Sequence, residues 1–321
     1  MWRGQSGAQL SGAFLEPPGR LGAAQGGGRG HVRAAHWLTR LRERTFGIAT
    51  WDAARISDEW FRAHFDYAAE VVQQWLAYGG VDLSRARLLN FGCGDGITDL
   101  ALALRHGVTA IHGVDIRREY AKLPRIAREQ LGMARLPSAL TFETIAPGTP
   151  LAPRCGSMDA IVSWSTFEHV QREQLLPILR DLHECLRPGG VFFLQIEPLF
   201  YSPWGSHLRR YDDVPWHHLL ASEDELWRII EAHQGPIAAD EVDFGFADFG
   251  VEGYKRFVFK EYQQLNRLTA DELVDLAGQA GFAIERQERR CVEMDVPQTL
   301  AERHPRERLL NNEILLLLRR T

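Results

Sequence analysis

Cysteines, blocks of like charge and long apolar runs are all scarce in this chain, and each scarcity closes off a class of function. The four cysteines in 321 residues are Cys93, Cys155, Cys185 and Cys291, with neither close pairing nor metal-type spacing among them. That pattern excludes a disulfide scaffold and fits reduced thiols in a cytoplasmic protein. No apolar run is long enough to cross a bilayer. No run of basic residues marks a nucleic-acid arm, and a net charge of −5 supplies no field to draw in a polyanion. Nucleic acid is therefore a poor substrate candidate. Acids are almost missing from residues 1–30, where Glu16 stands alone among glycines and arginines. This composition predicts a disordered extension through residue 34 rather than a targeting peptide, since neither an amphipathic face nor a signal-type apolar core is present.

What remains is ordinary globular material, 45% hydrophobic and 25% charged, enough for one elaborated domain or two small ones. It is organised around Leu88-Leu89-Asn90-Phe91-Gly92-Cys93-Gly94-Asp95-Gly96-Ile97-Thr98. The apolar residues read as a buried parallel strand and the three glycines as a turn whose missing Cβ atoms admit a ligand. The periodic run from Ile97 to Leu104 reads as a helix aiming its N–H groups back at that turn. Strand, turn and helix together predict a nucleotide-type site.

The flanks follow in order. A helix opens at Ser57 as N-cap and carries Trp60, Phe61, Phe65, Val72 and Trp75 on one face to Leu76. It closes the segment 35–80, which packs on the sheet or lies over the ligand as a lid. After the glycine turn, strands are expected near 109–115, 140–143, 158–164 and 191–196, with helices over 117–131 and 172–186. Arg187-Pro188-Gly189-Gly190 reads as a chain-reversing stop. This alternation predicts an α/β, doubly wound, mostly parallel sheet within 81–197. At Glu197-Pro198 it breaks, and 198–265 is an insertion rich in aromatics and histidines, including Phe200, Tyr201, Trp204, His207, Trp216, His217, His218, Phe244, Phe246 and Phe249. Because it leaves the sheet's C-terminal edge, it is expected to cover the ligand crevice. Residues 266–321 complete the sheet with a helix from Thr269, capped by a Thr269/Glu272 box, and strands over 282–290 and 313–320.

Asp115 ends the second strand nineteen residues after Gly96. A carboxylate there can accept hydrogen bonds from both ribose hydroxyls of a nucleoside, although alone it would be read as a helix cap. Dinucleotides and S-adenosylmethionine both use such a site. A dinucleotide fingerprint wants glycine or alanine at position 97, and Ile97 stands there.

The ordered set Asn90 to Gly96, Gly113-Val114-Asp115, Asp159-Ala160-Ile161-Val162-Ser163, Phe167-Glu168-His169-Val170 and Leu186 to Gly190 resembles the class I S-adenosylmethionine-dependent methyltransferases over about residues 57–197. The resemblance implies a seven-stranded Rossmann-like sheet with its last strand antiparallel, S-adenosyl-L-methionine as cofactor, and methyl transfer to a small molecule, at oxygen. Carried over, it implies that Asn90, Gly92, Cys93, Gly94 and Gly96 meet the methionine part, Asp115 the ribose and Ile116 the adenine, with Ser163 and Ser165 lining the cofactor side. The family usually has an acid where Asn90 stands, and its adenine-side acid after the third strand has only Glu143 or Thr144 nearby. For the proton acceptor His169 ranks before His207, and Glu197, Tyr201 and Trp204 are placed on the acceptor. His207, His217 and His218 with Asp212 and Asp213 match no familiar metal spacing, so no metal is expected. Two alternatives stay open: a nicotinamide-dependent oxidoreductase, which Ile97 disfavours, and a non-catalytic S-adenosylmethionine-binding scaffold or regulator, which Asn90 motivates.

Overall fold

A computed structural model describes Ile56 and residues 58–234 and 250–321 of the chain. The expectations for residues 1–34 and for Phe244, Phe246 and Phe249 lie outside the described residues.

Seven strands form one sheet: β1 Arg87–Phe91, β2 Ala110–Asp115, β3 Leu140–Thr144, β4 Met158–Trp164, β5 Leu186–Ile196, β6 Phe282–Cys291 and β7 Asn311–Arg320, ordered β3-β2-β1-β4-β5-β7-β6. Strands β1 to β5 pair in parallel and β7 lies antiparallel between β5 and β6. The expected doubly wound sheet with an inserted antiparallel last strand is therefore present. Alternate residues of each strand serve opposite faces, as the two-residue period requires. Leu88, Val162, Phe193, Leu315 and Leu317 enter one core, and Leu89, Ile161, Phe192, Leu316 and Leu318 enter the other.

The first core is closed by α1, a continuous helix made of Glu59–Arg62, a π-helical turn Ala63–Ala68 and Ala69–Tyr78, together with α2 Ile97–Arg105 and α3 Leu123–Leu131. Phe61, Phe65, Val72 and Trp75 of α1 are buried there, at roughly 1.5–3 kcal/mol each. The N-cap of α1 is Asp58, whose carboxylate accepts from the Phe61 N–H at 2.8 Å, in place of the predicted Ser57, which lies outside the described residues. Pro124 sits at the start of α3, so the predicted helix over 117–131 begins instead as a 3-10 turn at Glu119–Lys122. The second core is closed by α4 Leu175–Cys185 and, later in the chain, a helix over Ala270–Gln279. The expected stop at 187–190 is a bulge: the β4–β5 pairing steps from Met158 against Leu186 to Ala160 against Val191.

The covering segment builds a small core of its own. Phe200, Tyr211, Leu226, Ile230, Tyr254, Tyr262 and Leu265 pack together between α5 Glu223–Ala232 and α6 Gly250–Gln264. The chain returns through α7, Ala270–Gln279, whose Thr269/Glu272 capping box forms as predicted. Two contacts pin this cover onto the sheet edge. Arg117, just past β2, pairs with Glu261 of α6 at 2.6 Å, and the buried Asn266 donates to the carbonyls of Phe167 and Val170 at 2.6 and 2.8 Å.

Candidate active site

The site occupies the C-terminal edge of β1, β2, β4 and β5, and its first half is the glycine turn. Gly92, Gly94 and Gly96 all have φ between +55° and +78°, the left-handed region that disfavours a side chain. Their roles differ, however, and two depart from the expectation. A Cβ on Gly92 would lie 2.2 Å from the Thr166 hydroxyl, and one on Gly96 would lie 2.8 Å from the Phe142 ring. Both glycines let protein pack against protein. Of the three, only Gly94 faces open space, so only there does the missing Cβ leave room for a ligand.

Asp115 is fixed by the turn itself. One carboxylate oxygen accepts from the Gly94 N–H at 2.9 Å and the other from the Arg117 N–H at 2.8 Å. Each oxygen keeps a lone pair, so the acid is oriented without being used up. Ile116 beside it is 55% exposed, a large apolar face presented outward at this edge. The β2–β3 register sets Thr144 opposite Asp115, with its hydroxyl 2.7 Å from that of Tyr120, whereas Glu143 is paired with Arg154. Trp60 of α1 reaches the turn as well, donating its indole N–H to Asp95 at 2.8 Å.

Asn90 is buried at the end of β1 and donates its amide to Asp99 at 2.8 Å. The Asn90 carbonyl oxygen and the second Asp99 oxygen are buried without partners. Burial pushes the Asp99 carboxyl up to about 7 against the pull of the Asn90 amide. An acid is thus present after all, moved from position 90 to the first turn of α2. Cys93 is a buried thiol pushed far up by desolvation and by the acids Asp99, Asp115 and Asp95, which makes it inert. Open backbone at Gly94, an oriented acid and orphaned acceptors at Asn90 and Asp99 fit a cofactor carrying a ribose and an ammonium.

Ser163 is fully buried and donates to the Phe91 carbonyl at 2.9 Å, so it braces β4 against β1 instead of lining a crevice. Ser165 does stand at the rim, with φ 45° and its hydroxyl on Gln195 and the Glu197 carbonyl.

The second half of the site lies past β4. A 3-10 turn, Phe167–His169, carries Glu168 and His169, and Asn266 clamps it from the cover. His207 comes from the covering segment at φ 61°, and its ring lies 5.2 Å from that of His169. The approach depends on Gly205, where a Cβ would strike the Phe200 carbonyl oxygen at 2.2 Å. Burial, then the nearby His169, lower His207 to about 3, and its Nε2 has no partner. Glu168 is 5% exposed, and neither of its carboxylate oxygens is hydrogen-bonded. Burial and the charge of Glu197 raise its pKa to about 8. Glu197 itself accepts from Asn312 at 2.8 Å and is raised to about 8 by burial and Glu313.

The structure therefore brings together both predicted histidines, Glu197 and a residue quoted only as part of a motif, Glu168. Two expected acceptor residues lie elsewhere. Tyr201 packs against His304 under Arg308, in a neighbouring cavity, and Trp204 is capped by Arg209 with its N–H on the Asp213 carbonyl. His217 is spent on Asp212 and His218 on the Phe200 carbonyl. Asn266 escaped sequence reasoning because nothing in its neighbourhood signals a contact with residues 167–170.

A parallel sheet with one inserted antiparallel strand and this turn at its edge defines a class I S-adenosylmethionine-dependent methyltransferase domain. A family model described as a methyltransferase domain matches residues 60–287, and the chain belongs to that family. Its methyl donor is S-adenosylmethionine, which leaves the nicotinamide alternative without support. The chain is 34% identical over 115 residues to a ubiquinone biosynthesis O-methyltransferase of Xanthomonas campestris pv. campestris, covering 36% of this chain and 44% of that one. It is 28% identical over 112 residues to its counterpart from Pseudomonas aeruginosa, covering 35% and 44%. The chain thus spans less than half the length of these curated relatives. Among solved structures it is similar to an S-adenosylmethionine-dependent methyltransferase from Mesorhizobium loti, at TM-score 0.46 and 19% identity over 80% of this chain and 100% of that one. It is similar also to magnesium protoporphyrin IX methyltransferase from Synechocystis PCC 6803 with bound S-adenosylhomocysteine, at 0.46 and 14% over 90% and 99%. Among the described residues, no helix is long and apolar enough to cross a membrane.

Proposed function

We propose that this enzyme transfers the methyl group to an oxygen of a small organic acceptor held beneath the covering segment. The observation that carries the reading is the meeting of two unlike poles on one sheet edge. The glycine turn with Asp115 binds the donor, and the crowded polar group Glu168, His169 and His207 faces the acceptor. The names of the curated relatives support oxygen as the target.

The donor supplies a methyl on a positive sulfur with a good leaving group, so the protein need only align, dehydrate and manage a proton. Asp115 would hold the ribose, since the Gly94 and Arg117 amides already aim its oxygens. The Asn90 carbonyl and Asp99 would take the ammonium, restoring the charge that position 90 lacks. Ile116 and Tyr120 would flank the adenine side. The cover, pinned by Arg117–Glu261 and by Asn266, would keep water from the acceptor. At the far pole the hydroxyl of the acceptor must lose its proton, and Glu168, with its raised pKa, is better matched to that task than His207.

The test is to incubate the full chain with methyl-labelled S-adenosylmethionine and a panel of phenols, hydroxy acids and amines. Label recovered as methyl ethers or esters supports the reading. Label confined to nitrogen products, or binding of S-adenosylhomocysteine with no transfer to any acceptor, overturns it.

A further inference from the structure

Glu168, His169 and His207 pose a problem that proton transfer alone does not solve. A carboxylate 5% exposed, with both oxygens lacking a hydrogen-bond partner, is an arrangement folded proteins rarely leave uncompensated. The buried Nε2 of His207 is equally without a partner. One ligand-type atom from each of Glu168, His169 and His207 lies within 4.8 Å of the others. We propose that these three side chains bind one divalent transition cation, and that the cation holds the acceptor oxygen during methyl transfer. The second clause rests on the methyl-transfer reading above; the first does not.

The placement favours a bound ion over a chance cluster. Glu168 and His169 sit on a turn clamped by the two hydrogen bonds of Asn266, and His207 is delivered by a backbone turn that only Gly205 permits. Neither pole of the cluster is free to wander. A small cavity lined by Glu168, His207, Leu199 and Asn266 adjoins the group, with room for about one water-sized particle. Ligands about 2.0–2.2 Å from a cation lie roughly 3.5 Å apart, so the widest of the three separations need close by no more than about an ångström. His169 is exposed and offers a way in.

Charge is balanced in the cation's favour. Two arginines of this region are engaged elsewhere: Arg117 with Glu261, and Arg267 over the Phe200 ring at 5.2 Å. Two imidazoles and one carboxylate suit zinc, iron, cobalt or manganese better than magnesium or calcium, which prefer oxygen. Three protein ligands also leave positions open for the acceptor. With the cation bound, Glu168 is a ligand and no longer the base, so the hydroxyl of the acceptor, held on the cation, releases its proton to water. Its oxygen then forms the new C–O bond as the sulfonium C–S bond breaks, giving a methylated acceptor, a neutral thioether and one proton.

The experiment strips tag-free full-length protein with a chelator and titrates it with Co²⁺ by visible absorption and with Zn²⁺ or Mg²⁺ by calorimetry. We expect one equivalent of Co²⁺ and of Zn²⁺, each bound more tightly than Mg²⁺. Glu168→Gln and His207→Asn should each weaken Co²⁺ about 100-fold or more, whereas Cys291→Ser, which removes an exposed thiol, should change nothing. Equal affinity in the variants, meaning an adventitious ion only, or no stoichiometric uptake overturns the proposal. Pulsed EPR of Mn²⁺-loaded wild type needs no substitution, so it holds even where a variant fails to fold. Couplings from two imidazole nitrogens support the site, and one or none overturns it. Cation binding without methyl transfer would overturn the reaction and leave the site standing. Full methyl transfer by the stripped protein would overturn the role given to the cation and leave the reaction standing.

Discussion

The proposed donor and acceptor poles share one sheet edge but are built on different plans. Around Asp115, the backbone amides of Gly94 and Arg117, both near it in sequence, meet the carboxylate directly. Around Glu168 the polar atoms lack partners, and the parts come from 167–169, 205–207 and 266. The difference teaches where each pole gets its precision. A short loop can orient a group through its own hydrogen bonds, whereas a site assembled from distant segments depends on packing of the cover.

The strongest test of this contrast lies within the glycine turn. Gly92→Ala should destabilise the fold by about 3 kcal/mol or more, since its Cβ meets Thr166 at 2.2 Å in a left-handed conformation, and a denaturant melt would read the loss. Gly94→Ala has open space and should cost only about 1 kcal/mol of stability while abolishing tight binding of S-adenosylhomocysteine. Equal melts for the two would erase the distinction drawn between packing and ligand-facing glycines.

Next in size, Asp115→Ala should weaken S-adenosylhomocysteine by about 1–3 kcal/mol, roughly 5- to 150-fold, in calorimetric titration. An unchanged dissociation constant would remove Asp115 from the donor pole. Asn266→Ala should cost about 1–2 kcal/mol through the two carbonyls it leaves buried, and should lower kcat with the donor affinity unchanged. A matching loss of donor affinity would mean that the poles are coupled.

Titration offers a smaller and more diagnostic effect. Asp99, Glu168 and Glu197 have folded pKa values raised to about 7, 8 and 8, so across pH 6.5–8 the folded state holds protons that the unfolded state has already lost. Stability of ligand-free protein should therefore fall over that window, by up to about 1.4 kcal/mol per pH unit for each group. His207 and His218, lowered to about 3 and 4, act only below pH 6.5, where they add stability as pH rises. Glu168→Gln should flatten the fall between pH 6.5 and 8, and an unaltered slope would place that carboxyl in water. Smallest of all, Arg117→Gln should cost less than about 1 kcal/mol, because its pair with Glu261 is partly exposed. A larger loss would show the cover held chiefly by that latch.

Much of the architecture could be read directly from the chain, because a buried strand and an amphipathic helix each write a local period. The five parallel strands, the capping box at Thr269 and the inserted leucine strand all carried such signals. The bulge at 187–190 did not, since a Pro-Gly-Gly run spells a turn whether or not a neighbouring strand draws it into the sheet. Ser163 was misplaced for a related reason: strand ends look alike in sequence, and only the Phe91 carbonyl beside it shows that its hydroxyl is committed.

The sequence by itself determined the strand-turn-helix frame on which the proposed donor half sits. Gly94, Asp115 and Ile116 lie on one strand-turn-helix-strand run, where local geometry follows from residue type. Tertiary structure alone decided the rest. That Gly92 and Gly96 serve Thr166 and Phe142, and that Glu168 joins His169 and His207 with no partner of its own, are facts of long-range packing. Residues far apart in sequence carry no shared period, and only the assembled sheet, with its cover in the case of His207, puts them within reach of one another.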